Sequence, residues 1–510
     1  MAYKEISLKL PSDFTPEQLK KTIENELQIK DFSYQIENKS LDARKKSNIH
    51  WLLKVSVISD EIKGDNPEPK SSLNIPHKKR TEKVVIVGSG PAGFFSAYVL
   101  QLAGFKTQII ERGCDVNKRD EGIKNFEKTG VFDPLGNYAF GEGGAGTFSD
   151  GKLTSRSKRI NLERQFILDS YIKAGAPEEI AYMAHPHLGS DNLIKIVKNL
   201  RTEYINIGGE VLFETSLDDI KITNGKVKSA VLNSGSLDAD YFIIAPGHSS
   251  FDTYRMLIKN GIQFRTKNFA LGSRIEHPQE LINMAQWGKK KLPGVKAAEY
   301  RLTSNPKNQL SVYTFCMCPG GVIVPATASE KTNIVNGMSL YNRNAKFANS
   351  ACVAGVDPNK LLGKEASAPE ILDWLEALEN KFYEYSNSYK APFCSIKNFI
   401  NEKTGSHNSE TSYPLGLIES PLWELLPKKV SNSLREGLVD FGRKISGFET
   451  GNIIGLESKS SAPVQVIREE NKSCTGFDNI FVVGEGSGYA GGIISSAADG
   501  IKAALSIIEK

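Results

Sequence analysis

The stretch that decides the fold is residues 83–112, KVVIVGSGPAGFFSAYVLQLAGFKTQIIER. It begins with a short apolar run typical of a buried strand, continues through a glycine-rich turn into a helical stretch, and ends in a second strand. This β-α-β order is the first half of a Rossmann-like nucleotide-binding unit. Residues 84–105 are uncharged and long enough to cross a bilayer. The glycines and the proline of the turn would break a membrane helix, so a membrane span is not expected.

The turn carries the pattern Gly88-x-Gly90-x-x-Gly93, and Glu111 ends the second strand 18 residues after Gly93. Gly88 permits the tight turn, Gly90 lets the backbone approach a pyrophosphate, and Gly93 lets the helix pack on the strand. The pyrophosphate would lie at the helix N-terminus, and Glu111 would accept hydrogen bonds from a ribose diol. The alternative is a glycine-rich turn with a structural acid. The residues predicted to bind a dinucleotide here are Gly88, Ser89, Gly90, Ala92, Gly93, Glu111 and Arg112.

The composition is that of an ordinary globular protein, with 510 residues, 40% of them hydrophobic, 44 glycines and 6 cysteines. This length predicts about three domains and a sizeable core, and the composition excludes disordered, collagen-like and disulfide-scaffold proteins. The net charge of +5 is too small to predict a nucleic acid or an anionic membrane as a partner. The N-terminus lacks a secretory pattern and the cysteines are sparse, so we expect a cytoplasmic location.

Two segments precede the nucleotide-binding unit. Residues 1–62 contain three strand-like segments and one helical segment that Thr15-Pro16 opens, which predicts a small α+β domain of βαββ order. Residues 63–82 are rich in Pro, Lys and Ser, the composition of a linker.

The nucleotide-binding domain is predicted to be discontinuous. Buried-strand patterns in DYFIIAPG and NIFVVGEG match the first Rossmann strand, although more than 200 residues separate them. We therefore assign residues 83–250 and 450–510 to one Rossmann-like α/β domain. Residues 251–449 carry separate strand signals in QLSVYTFCMC and GGVIVPAT and then helical signals, and they predict an inserted α+β substrate or cap domain.

The C-terminal stretch FVVGEGSGYAGGIISSAADGIKAAL, residues 481–505, points to FAD as the dinucleotide. It resembles the glutathione-reductase-like FAD flavoproteins, in which a strand ends in Gly-Asp and the acid binds the ribityl chain. Here Gly484 is followed by Glu485, which is one methylene longer. The resemblance implies that Glu485 contacts the ribityl chain. It also implies that the helix beginning near Gly492 and Ile493 aims its positive end at the flavin pyrimidine.

Three further segments supply candidate cofactor residues. IIAPG resembles a small-residue turn of the same flavoproteins, and ETSLDDI is placed where they contact adenine through the backbone. The loop GEGGAGTFSDGKL, residues 141–153, is either an ordinary surface loop or a cradle of N–H groups for an anion or the flavin ring. Its lysine would stabilise the electron-rich flavin near N5 or O4. The candidates in these segments are Gly143, Gly144, Lys152, Leu217 and Gly247.

A narrower resemblance covers nearly the whole chain beyond the linker. A bacterial family of FAD-dependent dehydrogenases, described as uncharacterised or NAD-utilising, has motifs similar to NYAFGEGGAGTFSDGKL, HPHLGSDNL, APGHSS, IEHPQ, TFCMCPGGVIVPA, VNGMSLYNRNAKFANSA and GEGSGYAGGIISSAADGI. The resemblance implies the glutathione-reductase-like fold, bound FAD and a small N-terminal domain, with NAD(P)H as a candidate co-substrate. Departures at Ser190, Ser273 and Glu457-Ser458-Lys459 concern substrate preference.

The candidate catalytic residues come from shorter patterns. Cys316 and Cys318 would form a redox dithiol, but flavin-linked disulfide reductases normally use a Cys-x-x-Cys pair, which favours a role in shaping a substrate pocket or in packing. Arg274, Glu276 and His277 would bind an anionic substrate or transfer a proton, or else form a salt-bridged structural cluster. No zinc-type spacing of Cys and His is present, so no metal is expected. The candidate catalytic residues are Lys152, Arg274, His277, Cys316 and Cys318.

These patterns predict an FAD-dependent dehydrogenase that transfers a hydride between flavin N5 and a small-molecule substrate or NAD(P)H. Residues 150–450 lack a second GxGxxG after a strand, so NAD(P)H would bind without a Rossmann unit of its own. The alternatives are a flavin-dependent hydroxylase with a water-excluding cap, an FAD-containing RNA-binding or RNA-modifying protein, and a flavoprotein with structural FAD. The basic triplets Arg44-Lys45-Lys46 and Lys78-Lys79-Arg80 are typical of solvated loops, so no nucleic acid partner is expected.

Overall fold

The N-terminal segment forms a small three-stranded sheet with one helix. The structure, a computed structural model, describes residues 2–63, 71–405 and 410–510, so part of the predicted linker lies outside the described residues. The first elements are β1 (Ala2–Pro11), α1 (Pro16–Leu27), β2 (Ser33–Asp42) and β3 (His50–Ser59). Thr15 and Gln18 form a capping box at the start of α1, and the strands pair antiparallel in the order β1-β3-β2. This is the predicted βαββ order.

The rest of the described chain forms two larger sheets, of five and eight strands, and two smaller ones, of three and two strands. The first group of elements is β4 (Lys83–Val87), α2 (Pro91–Leu102), β5 (Lys106–Ile110), α3 (Val116–Thr129), α4 (Asn161–Lys173), α5 (Gly189–Asn206), β6 (Glu210–Leu212), β7 (Leu217–Thr223), β8 (Lys226–Leu232), β9 (Gly235–Asp238), β10 (Tyr241–Ile244) and α6 (Phe251–Lys259). The second group is β11 (Phe264–Thr266), β12 (Phe269–Pro278), α7 (Gln279–Trp287), β13 (Thr303–Ser304), β14 (Val312–Pro325), β15 (Val335–Met338), β16 (Phe347–Val356), α8 (Pro358–Leu362), α9 (Ala368–Ser386), β17 (Ala391–Ser395), α10 (Ile396–Asn401), β18 (Leu417–Glu419), α11 (Leu422–Leu425), α12 (Lys428–Lys444), β19 (Asn452–Glu457) and β20 (Val464–Val466). The last elements are β21 (Ile480–Val482) and α13 (Ile493–Ile508).

A five-stranded parallel sheet draws its strands from distant parts of the chain, in the order β21-β10-β4-β5-β6. Val84 and Ile86 of β4 pack with residues of α2, α4, α5 and α13 on one face. Val85 and Val87 pack on the other face with the β7-β8-β9 meander and α6. A strand buried on both faces is apolar throughout, which explains the run at the start of the fingerprint. The result is the mixed α/β architecture that the sequence predicts.

An eight-stranded sheet lies between β10 and β21 in the sequence. Its order is β13-β14-β16-β12-β19-β17-β18, with β15 paired to β14. The predicted inserted segment, 251–449, differs from this sheet at both ends. Leu257 and Ile262 pack with Ile244 in the core of the parallel sheet, because α6 turns its apolar face there. β19 pairs with β12 and β17, so the sheet extends beyond residue 449.

One strand replaces two predicted ones. The segments QLSVYTFCMC and GGVIVPAT form the single 14-residue strand β14, which runs through Pro319-Gly320-Gly321. Its pairing with β16 shifts register between Phe315 and Cys318 and again between Cys318 and Gly321. These shifts are β-bulges, which bend a strand and re-aim its side chains.

The uncharged stretch 84–105 folds as a strand, a turn and the 12-residue helix α2. Across the described ranges, none of the helices has both the length and the apolar character needed to cross a membrane.

Candidate cofactor and active site

The fingerprint turn has the packing that its glycines predict. Gly88 has φ +93°, and a Cβ on it would lie 2.3 Å from the carbonyl oxygen of Ala245. A Cβ on Gly93 would lie 1.9 Å from the carbonyl oxygen of Gly88. Gly90 is the N-cap of α2 and makes no side-chain cap, so the first N–H groups of this helix remain available to a ligand. Ala92 packs against the turn after β21, since a Cβ on Gly484 in that turn would lie 2.5 Å from the Ala92 methyl carbon.

Glu111 holds two loops together. Its Oε2 accepts hydrogen bonds from the N–H and the hydroxyl of Ser89, at 2.9 and 2.8 Å. Its Oε1 accepts from the N–H groups of Gly113 and Gly141, at 3.0 and 3.1 Å. A carboxylate has about four acceptor positions, so these donors fill them. A ribose hydroxyl would therefore bind Glu111 by displacing one donor, and the Ser89 hydroxyl is the one that can rotate away. The neighbouring Arg112 pairs with Asp252 at 2.5 Å.

Three turns meet at the carboxyl edge of the parallel sheet, where β4, β10 and β21 lie side by side. At Gly247 and Gly492, with φ +73° and +77°, a Cβ would have nothing within 4 Å, so space is open beside both turns. Gly492 is the N-cap of α13 without a side-chain cap, and Ile493 begins that helix. The carboxylate side chain of Glu485 is 27% exposed in the same region. A molecule with a pyrophosphate and a polyol chain fits this edge.

The glycine-rich loop 141–153 connects these turns to the large sheet. A Cβ on Gly144 would lie 3.0 Å from Cα of Gly90, and one on Gly146 would lie 3.2 Å from the side chain of Ile493. Lys152, near the end of the loop, donates to the carbonyl oxygen of Met317 in β14. The loop therefore runs from the fingerprint past the start of α13 to the bulged strand.

Arg119, which the sequence patterns did not single out, shapes this loop. Its guanidinium is fully buried, and burial lowers its pKa to about 10. It lies on the buried stripe of α3 with Val116, Ile123 and Phe126, so a cation in an apolar stripe is the signal that could have found it. The guanidinium donates at 2.8 to 3.3 Å to the carbonyl oxygens of Asn137, Tyr138, Gly141, Glu142 and Gly144.

Lys152 belongs to a buried charge cluster with Asp150. Asp150 accepts from Lys152 at 2.6 Å and from two nitrogens of Arg343 at 3.0 and 2.6 Å. Burial alone would raise the pKa of Asp150, but the two cations outweigh it and lower the pKa to about 2. Burial likewise opposes the charge of Lys152, and Asp150 outweighs it, so the pKa of Lys152 is raised. The ammonium has three protons, and two are used by Asp150 and Met317, which leaves one for a ligand.

The surroundings of Arg274 contradict its predicted role in binding an anionic substrate. Arg274 is fully buried, and all five of its N–H groups have partners. These partners are the side-chain oxygens of Asn349, Asn336 and Glu457, the carbonyl oxygen of Cys316 and the sulfur of Cys318. No donor is left for a substrate, so Arg274 supports the bulge of β14 instead.

His277 does not join Arg274 either, because the two positions alternate across β12. The His277 ring is fully buried, lies 4.3 Å from the Phe448 ring, and hydrogen-bonds the Phe448 carbonyl oxygen at 2.8 Å. Burial lowers its pKa to about 4. Glu276 accepts from the N–H and the hydroxyl of Ser412. The predicted cluster of Arg274, Glu276 and His277 is therefore not formed.

The two cysteines of β14 differ in environment. Cys316 has φ +46° and is half-buried, because the bulge takes it out of regular alternation. Cys318 is fully buried, and burial raises the pKa of its thiol to about 12. Burial also raises the pKa of Cys316. Leu217, the remaining cofactor candidate, begins β7 as a buried residue.

Comparisons with known proteins bear on the family and the cofactor. A family described as FAD-dependent protein, C-terminal domain-like, matches residues 268–460, and a domain of unknown function matches residues 2–58. An uncharacterised protein of Clostridium beijerinckii is 40% identical over 491 residues, which cover 92% of this chain and 91% of that protein. The chain belongs to the family of this clostridial protein. The matched FAD-dependent domain coincides with the eight-stranded sheet, and its description supports FAD as the cofactor. None of these descriptions supports NAD(P)H or names an NAD-utilising dehydrogenase.

Three solved structures are more distantly similar. CtdE in complex with FAD is 12% identical, with 84% of each chain covered and a TM-score of 0.35. A geranylgeranyl bacteriochlorophyll reductase-like protein from Thermoplasma acidophilum is 14% identical, with 85% of this chain and 79% of that chain covered and a TM-score of 0.37. Glycine oxidase from Bacillus cereus is 12% identical, with 84% and 95% covered and a TM-score of 0.33. Likenesses this distant define neither the fold subtype nor the reaction.

Proposed function

We propose that the protein is an FAD-dependent oxidoreductase that transfers a hydride between the flavin and a small-molecule substrate. The observation that carries this proposal is the meeting of three glycine turns at one sheet edge. There the loop 141–153 links the fingerprint to the bulge of β14. FAD, when bound, would supply a site at N5 that accepts or donates a hydride.

Each turn would bind a different part of the cofactor. The uncapped start of α2 at Gly90 would bind the pyrophosphate through its free N–H groups. Glu485 would accept hydrogen bonds from the ribityl hydroxyls. The uncapped start of α13 at Gly492 presents a second helix N-terminus, whose positive end would favour negative charge on the pyrimidine side of a reduced ring.

The substrate would bind where Lys152 meets β14. Lys152 would donate its third N–H to the flavin edge or to a substrate oxygen, because Asp150 and the carbonyl oxygen of Met317 accept the other two. The half-buried Cys316 would line the pocket, and the bulge that places it there is braced by Arg274. The large sheet, which Lys152 contacts through Met317, would cover this side of the site and exclude water from it.

A screen for reduction of the bound flavin tests the proposal. The purified holoprotein is mixed anaerobically with pools of small metabolites, and the visible flavin absorbance is followed. We expect one pool to bleach the flavin, and an electron acceptor to restore the colour over repeated cycles. In a second experiment the bound flavin is photoreduced and its reoxidation is compared with that of free flavin. If no pool reduces the bound flavin, and if it is reoxidised no faster than free flavin, the FAD is structural and the proposal fails.

A further inference from the structure

His248 lies in the turn after β10, the strand between β4 and β21. This turn touches both neighbouring turns. A Cβ on Gly88 would lie 2.3 Å from the carbonyl oxygen of Ala245, and one on Gly486 would lie 2.9 Å from that of Gly247. A cofactor that extends from the fingerprint turn to the turn after β21 therefore passes over the turn that carries His248.

The imidazole of His248 faces a carboxylate with one nitrogen and has no hydrogen-bond partner, among the described residues, on the other. Its Nδ1 lies 3.6 Å from Oε2 of Glu485, and the side chain is 11% exposed. Its Nε2 is buried and has no hydrogen-bond partner within the described part of the chain. A buried polar nitrogen without a partner is costly, and in native proteins such groups usually bind water or a ligand. A Cβ on Gly247, the residue before His248, would have nothing within 4 Å, so space is open on that side of the turn.

The chemistry of the pair selects the kind of ligand. With a carboxylate facing Nδ1, the proton of a neutral imidazole belongs on Nδ1, which leaves Nε2 as an acceptor. Glu485 is also an acceptor. Two acceptors side by side suit a chain with neighbouring hydroxyl groups.

We propose that His248 binds the ribityl chain of FAD through Nε2 and acts as a pair with Glu485. The inference rests on the proposed function, because it assumes that FAD occupies this edge. No residue pattern in the sequence assigned a role to His248.

The test compares FAD with ADP, which has the adenosine and pyrophosphate of FAD but no ribityl chain. Flavin-free protein is titrated with each ligand by calorimetry for the wild type, His248→Ala, Glu485→Gln and the double variant. We expect His248→Ala to weaken FAD binding about tenfold or more, the effect of losing one good hydrogen bond, and to leave ADP binding unchanged. The fold loss of FAD affinity in the double variant should be smaller than the product of the fold losses in the two single variants, because both substitutions disrupt the same pair of residues.

Two controls separate this role from a structural one. His185→Ala removes an exposed histidine outside these turns and should match the wild type. Far-UV circular dichroism and thermal unfolding of the flavin-free variants report folding, and His248→Gln, which keeps an acceptor, should recover part of the affinity if His248→Ala misfolds.

Wild-type affinity for FAD in His248→Ala, or an equal loss of FAD and ADP affinity, would overturn the inference about His248 alone. A wild-type protein that takes up no FAD would instead contradict the proposed function.

Discussion

At the residue scale, Gly90 and Gly93 place different demands on the same turn. A Cβ on Gly93 would lie 1.9 Å from a backbone oxygen, whereas one on Gly90 would make its nearest contact at 3.6 Å, an ordinary distance. We predict that Gly93→Ala lowers the free energy of unfolding by about 1–3 kcal/mol or more, because the helix must move off the strand. Gly90→Ala should leave the stability of the flavin-free protein unchanged and weaken FAD binding. Urea unfolding and FAD titration of both variants measure the difference, and equal stabilities would contradict it.

Arg119 is the residue on which the glycine-rich loop depends. Arg119→Met would remove five hydrogen bonds, two of them to the carbonyl oxygens of Asn137 and Tyr138, so we expect the free energy of unfolding to fall by roughly 3 kcal/mol or more. The other three carbonyl oxygens keep a donor from Gly144 or Thr147. Lys118→Met is the matched control, because the Lys118 side chain is 66% exposed and should change stability little. Denaturant unfolding of the two variants gives the comparison, and similar small effects would show that the loop does not need the guanidinium.

His277 makes stability depend on pH. Its pKa is about 4 in the folded protein and about 6.5 in an unfolded chain, so protonation favours unfolding. Its contribution is fully present above pH 6.5 and is lost as the pH falls from 6.5 toward 4, by roughly 3 kcal/mol. We predict that His277→Gln flattens the stability profile in this window, measured by denaturant unfolding at several pH values. A variant with the same slope as the wild type would show that the ring is not buried as described.

At the element scale, the sequence predicts elements whose signals are local. β4 and α2 follow from a continuous apolar run and a glycine turn, and α1 follows from Thr15-Pro16. The sequence does not predict that β14 is one continuous strand. The bulge at Cys316 depends on a hydrogen bond from Arg274, and Arg274 lies on another strand. On a regular strand Cys316 and Cys318 would share one face, and the bulge is what gives the two side chains different environments.

Part of the candidate site was predictable for the same reason. Gly88, Gly93, Gly247 and Gly492 belong to turns that a local pattern defines. Partners that come from distant segments were not predictable, and Arg343, which pairs with Asp150 across 193 residues, is an example.

The backbone conformation of the bulge leads to a prediction about the stability of cysteine variants. Cys316 holds φ +46°, which glycine adopts without strain, so Cys316→Gly should change the free energy of unfolding by less than about 1 kcal/mol. Cys352→Gly, in the paired strand β16, should destabilise the protein by more than about 2 kcal/mol, because Cys352 is fully buried in regular strand and its removal leaves a cavity. Thermal unfolding ranks the two variants, and a larger loss for Cys316→Gly would contradict the strained geometry.

At the scale of the whole molecule, the N-terminal sheet is attached to the rest of the protein. Lys39 exchanges backbone hydrogen bonds with Tyr182 and Ala184, at 2.8 and 2.9 Å. Ala43 and Ile49 of the β2–β3 region pack against the core of the large sheet. We predict that Ile49→Asp loosens this attachment and speeds hydrogen exchange at the Lys39 amide. The exchange of amides in β4 should stay slow, and unchanged exchange at Lys39 would contradict the predicted attachment.

The central claim is that the edge formed by the turns after β4, β10 and β21 binds one FAD per chain. Calorimetric titration of the flavin-free protein with FAD tests it most directly, with Gly90→Ala as the variant that keeps the fold. The predicted result is uptake of one FAD per chain by the wild type, with recovery of the visible flavin spectrum, and much weaker binding by Gly90→Ala. A folded wild-type protein that takes up no FAD, or a Gly90→Ala variant that binds it equally well, would contradict the account.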